Sequence, residues 1–251
     1  MQTTGETRDN AVPAGQPAAE IPGNKAPAES RGVTVRNTRA SDIPAVRELQ
    51  RRTYPTIAPW SSDKFETQMD AFPEGQFVAE WRGSIVGAAS SLIVQWNDYS
   101  VEHTWKGVTG DGSFSTHDIG GRTLYGAEVV VNATRQGVGI GRALYRARRQ
   151  LCTQLGLRRI IAAGRLPLYH KYANVFTPEM YAMRVVWGDI ADPVLRFQMS
   201  QGFHYCGIIH NYLPEDVESC GHAALIAWLN PRMGRRAAAP HRISFETQGA
   251  L

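Results

Sequence analysis

Cysteine is scarce in this chain, and long apolar runs are missing from it. Only three of 251 residues are Cys (Cys152, Cys206 and Cys220). That odd number excludes a complete disulfide framework and fits a reducing compartment. No apolar run approaches the ~20 residues that cross a bilayer, so no membrane partner is expected. The N-terminus lacks a basic stretch followed by an apolar one, so no secretory signal is read and a cytoplasmic location is expected. The excess of positive charge is small, +4 over the whole chain. It gathers around residues 135–149 and in the C-terminal stretch, without interleaved aromatics, and nucleic acid is not the expected partner. With 43% hydrophobic residues the composition is that of an ordinary globular protein, one large domain or two small ones.

What is present centres on Val129 to Leu144. A β-branched apolar run (Val129, Val130, Val131) passes through a polar turn into Gly137-Val138-Gly139-Ile140-Gly141-Arg142. Ile140, Leu144, Ala147, Leu151 and Leu155 then recur at helical spacing. Strand, glycine-rich turn and helix together form an anion site: glycines let a backbone approach closely, and the helix N-terminus supplies unpaired N–H groups and the positive end of its dipole. The lysine of a P-loop is missing, and the third glycine of a dinucleotide fingerprint is misplaced. What remains is Gln136-x-x-Gly139-x-Gly141 directly after an apolar strand.

Around this centre, residues 1–31 are rich in Ala, Pro, Gly and polar types and read as a disordered tail. A strand is expected at 33–36 and a helix from Ser41 or Asp42 through Arg51, with Ile43, Val46 and Leu49 inward. Thr53 to Trp60 is a proline-bearing connection whose Tyr54 and Trp60 either shape a pocket or cover the core. A helix at 62–71 precedes a hairpin of 76–81 and 84–96. Residues 97–122 are a long polar loop. Strands at 124–131 and 159–163 flank the motif helix and are expected to lie parallel. Helices at 178–187 and 193–201, the second stopped by Gly202, lead to strands at 204–212 and 222–229. Residues from 231 onward read as a basic, disordered tail.

The motif and this element order resemble the GNAT superfamily of acyl-CoA-dependent N-acyltransferases, over about residues 32–230. The resemblance implies an α/β (α+β) fold: a mixed, mostly antiparallel sheet with a parallel central strand pair, flanked by helices. It also implies acetyl-CoA as co-substrate, with Val129, Val130, Val131, Gln136, Gly137, Val138, Gly139, Ile140, Gly141 and Arg142 holding it. Thr53–Trp60, Phe72–Phe77, Thr116-His117-Asp118 and Gly164–Pro167 are similar to a bacterial subgroup whose members can carry a carbon–nitrogen hydrolase domain after the acyltransferase part. No such domain is read here, so a hydrolase enters only as a partner. Superfamily members often protonate the leaving thiolate with a tyrosine four residues before the terminal Gly-Phe pair. Here that position is Gln198.

The expected chemistry is transfer of an acetyl group to a primary amine of a small molecule or protein by direct attack. Glu128, alone in an apolar strand, is the candidate base, since desolvation raises a carboxyl's pKa. The alternative is a strand carboxylate paired with Arg or Lys. Tyr172 and Tyr169 are the candidate acids, or else rings packed over a helical turn. Tyr54, Trp60, His117, Asp118 and Arg165 are expected around the acceptor. Acidic residues of the long loop (Asp98, Glu102, Asp111, Asp118) hint at a cationic amine. His204-x-Cys206 and Cys220-x-His222 are spaced too tightly for structural zinc, and no metal is expected. Arg142, Arg146, Arg148 and Arg149 read as a solvated helix face. The competing function is a catalytically silent acyl-CoA-binding module that accompanies a carbon–nitrogen hydrolase.

Overall fold

Burial along residues 76–81 alternates between two cores, and that alternation divides the molecule into two faces. Phe77 and Ala79 pack with Ile140, Leu144 and Leu151, whereas Val78 packs with Ile43, Val46, Leu49 and Phe65. The period-two geometry of a strand puts these sets on opposite sides of the sheet. The computed structural model describes residues 32–55, 57–135 and 137–233. Gln136 lies outside them, as do both stretches expected to be tails, apart from residues 231–233.

In chain order the elements are β1 (Val33–Asn37), α1 (Ile43–Thr53), α2 (Ser62–Ala71), β2 (Gln76–Trp81), β3 (Ser84–Val94), α3 (Trp105–Thr109), β4 (Thr123–Val131), α4 (Ile140–Gln154), β5 (Arg159–Arg165), α5 (Pro178–Trp187), α6 (Pro193–Ser200), β6 (His204–Ile209) and β7 (Ala223–Leu229). One seven-stranded sheet has the order β1-β2-β3-β4-β5-β7-β6. All its pairings are antiparallel except β4 with β5, which the α4 crossover makes parallel. Helices α4, α5 and α6 cover one face. On the other lie α1 and α2, together with the 97–122 segment, which folds over Tyr125 and Ile161 through Val108 and Phe114.

Local chemistry sets the helix ends. Ser61 and Thr177 each accept a backbone N–H at the start of α2 and α5, and Asp192 accepts two at the start of α6. Gly202 follows α6 in the left-handed region, φ +85°, as its sequence position predicts. The 97–122 stretch differs from the expected loop. Thr104 caps the short helix α3, and Gly110 closes it in the left-handed region.

Two irregularities in β4 position the site. The parallel pairing with β5 covers only Thr123–Gly126 against Arg159–Ala162. Beyond it β5 continues along β7 alone, through Arg165, and the two strands part. At the same point β4 carries a bulge: Ser90 faces Glu128 while Ser91 faces Gly126, so Ala127 is the extra residue. A bulge of this kind re-aims the side chains that follow it. Tyr125 and Ala127 both pack with the core beneath the 97–122 segment, and Glu128 then turns to Gln50 of α1. Val129 returns to the α4 side. Without the extra residue, Glu128 would share the face of Leu124 and Gly126, under α4.

Candidate active site

Where β4 and β5 part, a cleft of about 720 Å³ passes through the sheet. On the α4 side it is walled by Gly141, Tyr145 and Arg148 of α4 and by Phe197 and Gln198 of α6. On the α1 side the wall is Tyr54, Trp60, Trp105 and Tyr212. Strand edges left unpaired expose backbone groups that must find partners. Here side chains supply them: Tyr54 Oη donates to the Val129 carbonyl (3.0 Å) and Trp105 Nε1 to the Ala127 carbonyl (3.2 Å). Those bonds occupy the acceptors with which β5 would otherwise continue the sheet.

Glu128 sits at the centre of this arrangement. Its carboxyl accepts from Gln50 Nε2 at 3.0 and 2.8 Å, so its hydrogen-bond partner is an amide rather than a cation. Gln50 is itself fixed, its Oε1 accepting the Trp60 N–H at 3.2 Å. Burial pushes the Glu128 carboxyl up to about 7, with the Gln50 hydrogen bond and the charge of Arg148 opposing a further rise. That places its proton exchange near neutrality, where a general base is effective.

Arg148 does not belong to a solvated face. It is 2% exposed, and its guanidinium stitches the bulge. Nε donates to Ser91 Oγ (2.9 Å), and Nη2 donates to the carbonyls of Ser90 (2.9 Å) and Glu128 (2.7 Å). A Cβ on Gly126 would stand 2.8 Å from Nη1, which is why a glycine occupies that strand position. One signal in the sequence pointed to this burial: Arg148 continues the i, i+4 row of Ile140 and Leu144.

Beside it, Tyr145 Oη accepts from Gln198 Nε2 (3.1 Å), and its ring meets Phe197 and Phe203 edge-on. The Tyr145 phenol was not singled out from sequence, because its position in α4 reads as plain core. Arg165 also lines the cleft, held by Asp216 and Glu218 and lying 5.0 Å from the centre of the Tyr54 ring.

The structure brings Tyr54, Trp60, Glu128 and Arg165 to one cleft but leaves other candidates outside its lining. Tyr169 Oη donates to the Phe176 carbonyl (3.1 Å), and Tyr172 stacks on Phe176. His117 Nδ1 accepts the Ile93 N–H (3.1 Å) while its ring stacks on Phe72. The Asp118 N–H donates to the Ile93 carbonyl. These two residues extend the edge of β3. His204 and Cys206 of β6 and Cys220 and His222, which lie just before β7, form no metal-binding group among the described residues. His222 instead packs edge-on against His210 and Tyr169.

The turn before α4 has the form its glycines imply. Gly137 and Gly139 adopt φ +81° and +89°, and a Cβ on Gly137 would meet nothing within 4 Å. Gly139 is the N-cap and has no side chain to cap the start of α4, the end of a helix at which anions bind. Val129, Val131 and Gly141 line the cleft. Val130 and Ile140 are buried, and Val138 packs at the edge of the α4-side core.

A sheet opened between parallel central strands, with a left-handed glycine turn at the head of the crossover helix, defines an acyl-thioester-binding transferase fold. The chain belongs to the acetyltransferase (GNAT) family, whose model matches residues 43–174. It is 40% identical over 198 residues to "Probable hydrolase YhcX" of Bacillus subtilis (strain 168), a match covering 79% of this chain and 39% of YhcX. It is also 35% identical over 202 residues to "Uncharacterized N-acetyltransferase YkwB" of the same organism, covering 79% of this chain and 89% of YkwB. The chain thus spans well under half the length of the first relative and most of the second. Among solved structures, the loading GNATL domain of CurA from Lyngbya majuscula superposes with TM-score 0.70 at 20% identity, covering 80% of this chain and 98% of that one. The GphF GNAT-like decarboxylase in complex with isobutyryl-CoA gives 0.67 at 23%, covering 78% and 99%. At these identities the likeness is one of fold.

Proposed function

We propose that this chain is an acyl-CoA-dependent N-acyltransferase that moves acetyl from acetyl-CoA to a primary amine of a small molecule or protein by direct attack. One observation carries the reading: the bulge turns a buried carboxyl with a pKa near 7 to the side of the cleft opposite α4. In this reading the Gly137–Arg142 turn, with Gln136, holds the coenzyme A pyrophosphate, and the pantetheine arm passes between the parted strands. The open edge over Val129, Val130 and Val131 presents backbone N–H groups to the arm and the thioester oxygen.

The amine arrives from the α1 side. Glu128 takes its proton, the nitrogen attacks the thioester carbon, and the C–S bond breaks with its electrons going to sulfur. Tyr169 and Tyr172 were the expected donors for that thiolate. Tyr145 fits better, because among the cleft phenols Tyr54 Oη donates to Val129 and Tyr212 Oη is bonded to Tyr125. Tyr145 Oη accepts from Gln198, so its own proton remains to be given.

A second reading rests on Gln198 at the position of the usual tyrosine and on the partial match to a protein named as a hydrolase: a silent acyl-CoA-binding module with a carbon–nitrogen hydrolase partner. Release of CoA thiol, followed with acetyl-CoA and a panel of primary amines, decides between the two. Amine-dependent release supports the transferase, and acetyl-CoA binding without transfer to any amine supports the silent module. Among the described residues no helix is long and apolar enough to cross a membrane; the cytoplasm is proposed from the scarcity of cysteine.

A further inference from the structure

We infer that the acceptor is a monoamine carried on an aromatic or similarly apolar body, not a polyamine or a basic peptide. This rests on the N-acyltransferase reading and names the substrate class of its site.

On the α1 side of the cleft, three of the four rings in the wall have their polar atom already committed. Tyr54 Oη and Trp105 Nε1 hold β4 carbonyls. Tyr212 Oη bonds Tyr125 Oη at 2.8 Å, and Tyr125 in turn meets His103 Nε2 at 2.9 Å. Trp60 lies against Trp105 with ring centres 5.5 Å apart. What these side chains still offer a guest is mainly ring surface, supplemented by Ile57 and Leu213. Aromatic guests gain from such surface through both area burial and ring–ring geometry.

Charge argues the same way. Among the described residues, carboxylates around the mouth are paired with cations of this chain: Asp111 with Lys64, Glu215 with Lys106, and Asp216 and Glu218 with Arg165. Of the loop acids that hinted at a cationic acceptor, only Asp111 lines the cleft. A second positive charge on the acceptor would therefore meet Lys64, Lys106 and Arg165 as closely as any carboxylate. Among the described residues that line the cleft, Glu128 is the carboxyl that forms no salt bridge: its hydrogen bonds come from Gln50, with Arg148 acting on it through its charge, and it has room for one amine proton. The site is thus suited to a single nitrogen, brought in at the end of a body that the rings cover.

The test uses the full chain with acetyl-CoA and three acceptors: 2-phenylethylamine, spermidine and a lysine-containing basic peptide. Transfer is followed by CoA thiol release, and amine binding by quenching of tryptophan fluorescence in the presence of CoA. We expect kcat/KM for 2-phenylethylamine to exceed that for the other two at least tenfold. Trp105→Ala should lower it at least tenfold, mainly through KM, while Trp105→Phe restores much of it. In both variants the KM for acetyl-CoA should change less than the KM for the amine. Equal or better transfer to spermidine or the peptide overturns the inference and leaves the transferase reading standing. Selective binding of 2-phenylethylamine without transfer has the opposite meaning, and no binding or transfer of any amine removes both.

Discussion

Glu128 was legible in the sequence as a lone acid in an apolar strand; its partner was not. Gln50 lies 78 positions away, and nothing in its own helix marks it as the residue that holds the base. The consequence of that pairing is a pH dependence with a definite sign. Burial raises the folded-state pKa of an acid from 4.5 to about 7, so the fold favours the protonated form. The stability linked to this proton is fully present below about 4.5 and lost as pH climbs through about 7. Glu128→Gln keeps a neutral acceptor for Gln50. Its stability relative to the parent should therefore rise between pH 4.5 and 8, by up to about 3 kcal/mol. A pH-independent difference in urea midpoints would show that the carboxyl ionises as it does in water. In activity the same group should give a rate that grows with pH around 7. Glu128→Gln should lose that limb and roughly a hundredfold or more in turnover while keeping its acetyl-CoA affinity.

Tyr145 and Arg148 show why the rest of the site was hidden. A helix face is read from its periodicity, and a charged residue on the apolar row is easily assigned to the solvent. Only the bulge in a distant strand, with two carbonyls to satisfy, explains a guanidinium there. Tyr145→Phe should slow turnover with little change in the KM for acetyl-CoA, whereas Tyr169→Phe should leave turnover near that of the parent. The reverse outcome in steady-state assays would return the acid role to Tyr169.

Among the elements, β4 does most to shape the site, and its bulge depends on Arg148. Replacing Arg148 by Met keeps bulk but leaves the Ser90 and Glu128 carbonyls without their donor. Each buried group left unpaired costs about 1–3 kcal/mol, so a loss of roughly 2–5 kcal/mol is expected in denaturant unfolding. A loss below 1 kcal/mol would mean that the bulge holds without the guanidinium. The glycine turn before α4 is the opposite case. Its strand, turn and helix signals are contiguous, so its form could be read from the sequence with only local rules. Helix α3 could not, because a five-residue helix is too short to show periodicity and depends on Thr104 at its cap. His117 and Asp118 looked functional for a related reason: a polar loop carries no signal that tells a ligand contact from the closing of a strand edge.

At the scale of the whole molecule, the parallel central pair followed from element sequence alone, since a crossover helix requires parallel strands. The parting of β4 from β5 did not, because it depends on Tyr54 and Trp105 capping carbonyls from outside the sheet. Acetyl-CoA seated in that gap should stabilise the entire domain. At about a hundred times its dissociation constant it adds about 2.7 kcal/mol, a rise of roughly 5–11 °C in Tm for a domain of this size. Gly139→Asp, which puts a Cβ and a negative charge at a left-handed position, should abolish the rise. A folded variant that retains it would place the phosphates elsewhere.

Because the cleft is open to both faces of the sheet, each substrate has its own approach, and neither has to leave before the other can bind. Initial rates measured against both concentrations should therefore give intersecting rather than parallel reciprocal lines. Free CoA should compete with acetyl-CoA for its side of the sheet without competing with the amine. Varying the amine at several fixed CoA concentrations would then leave the intercept, not only the slope, dependent on inhibitor.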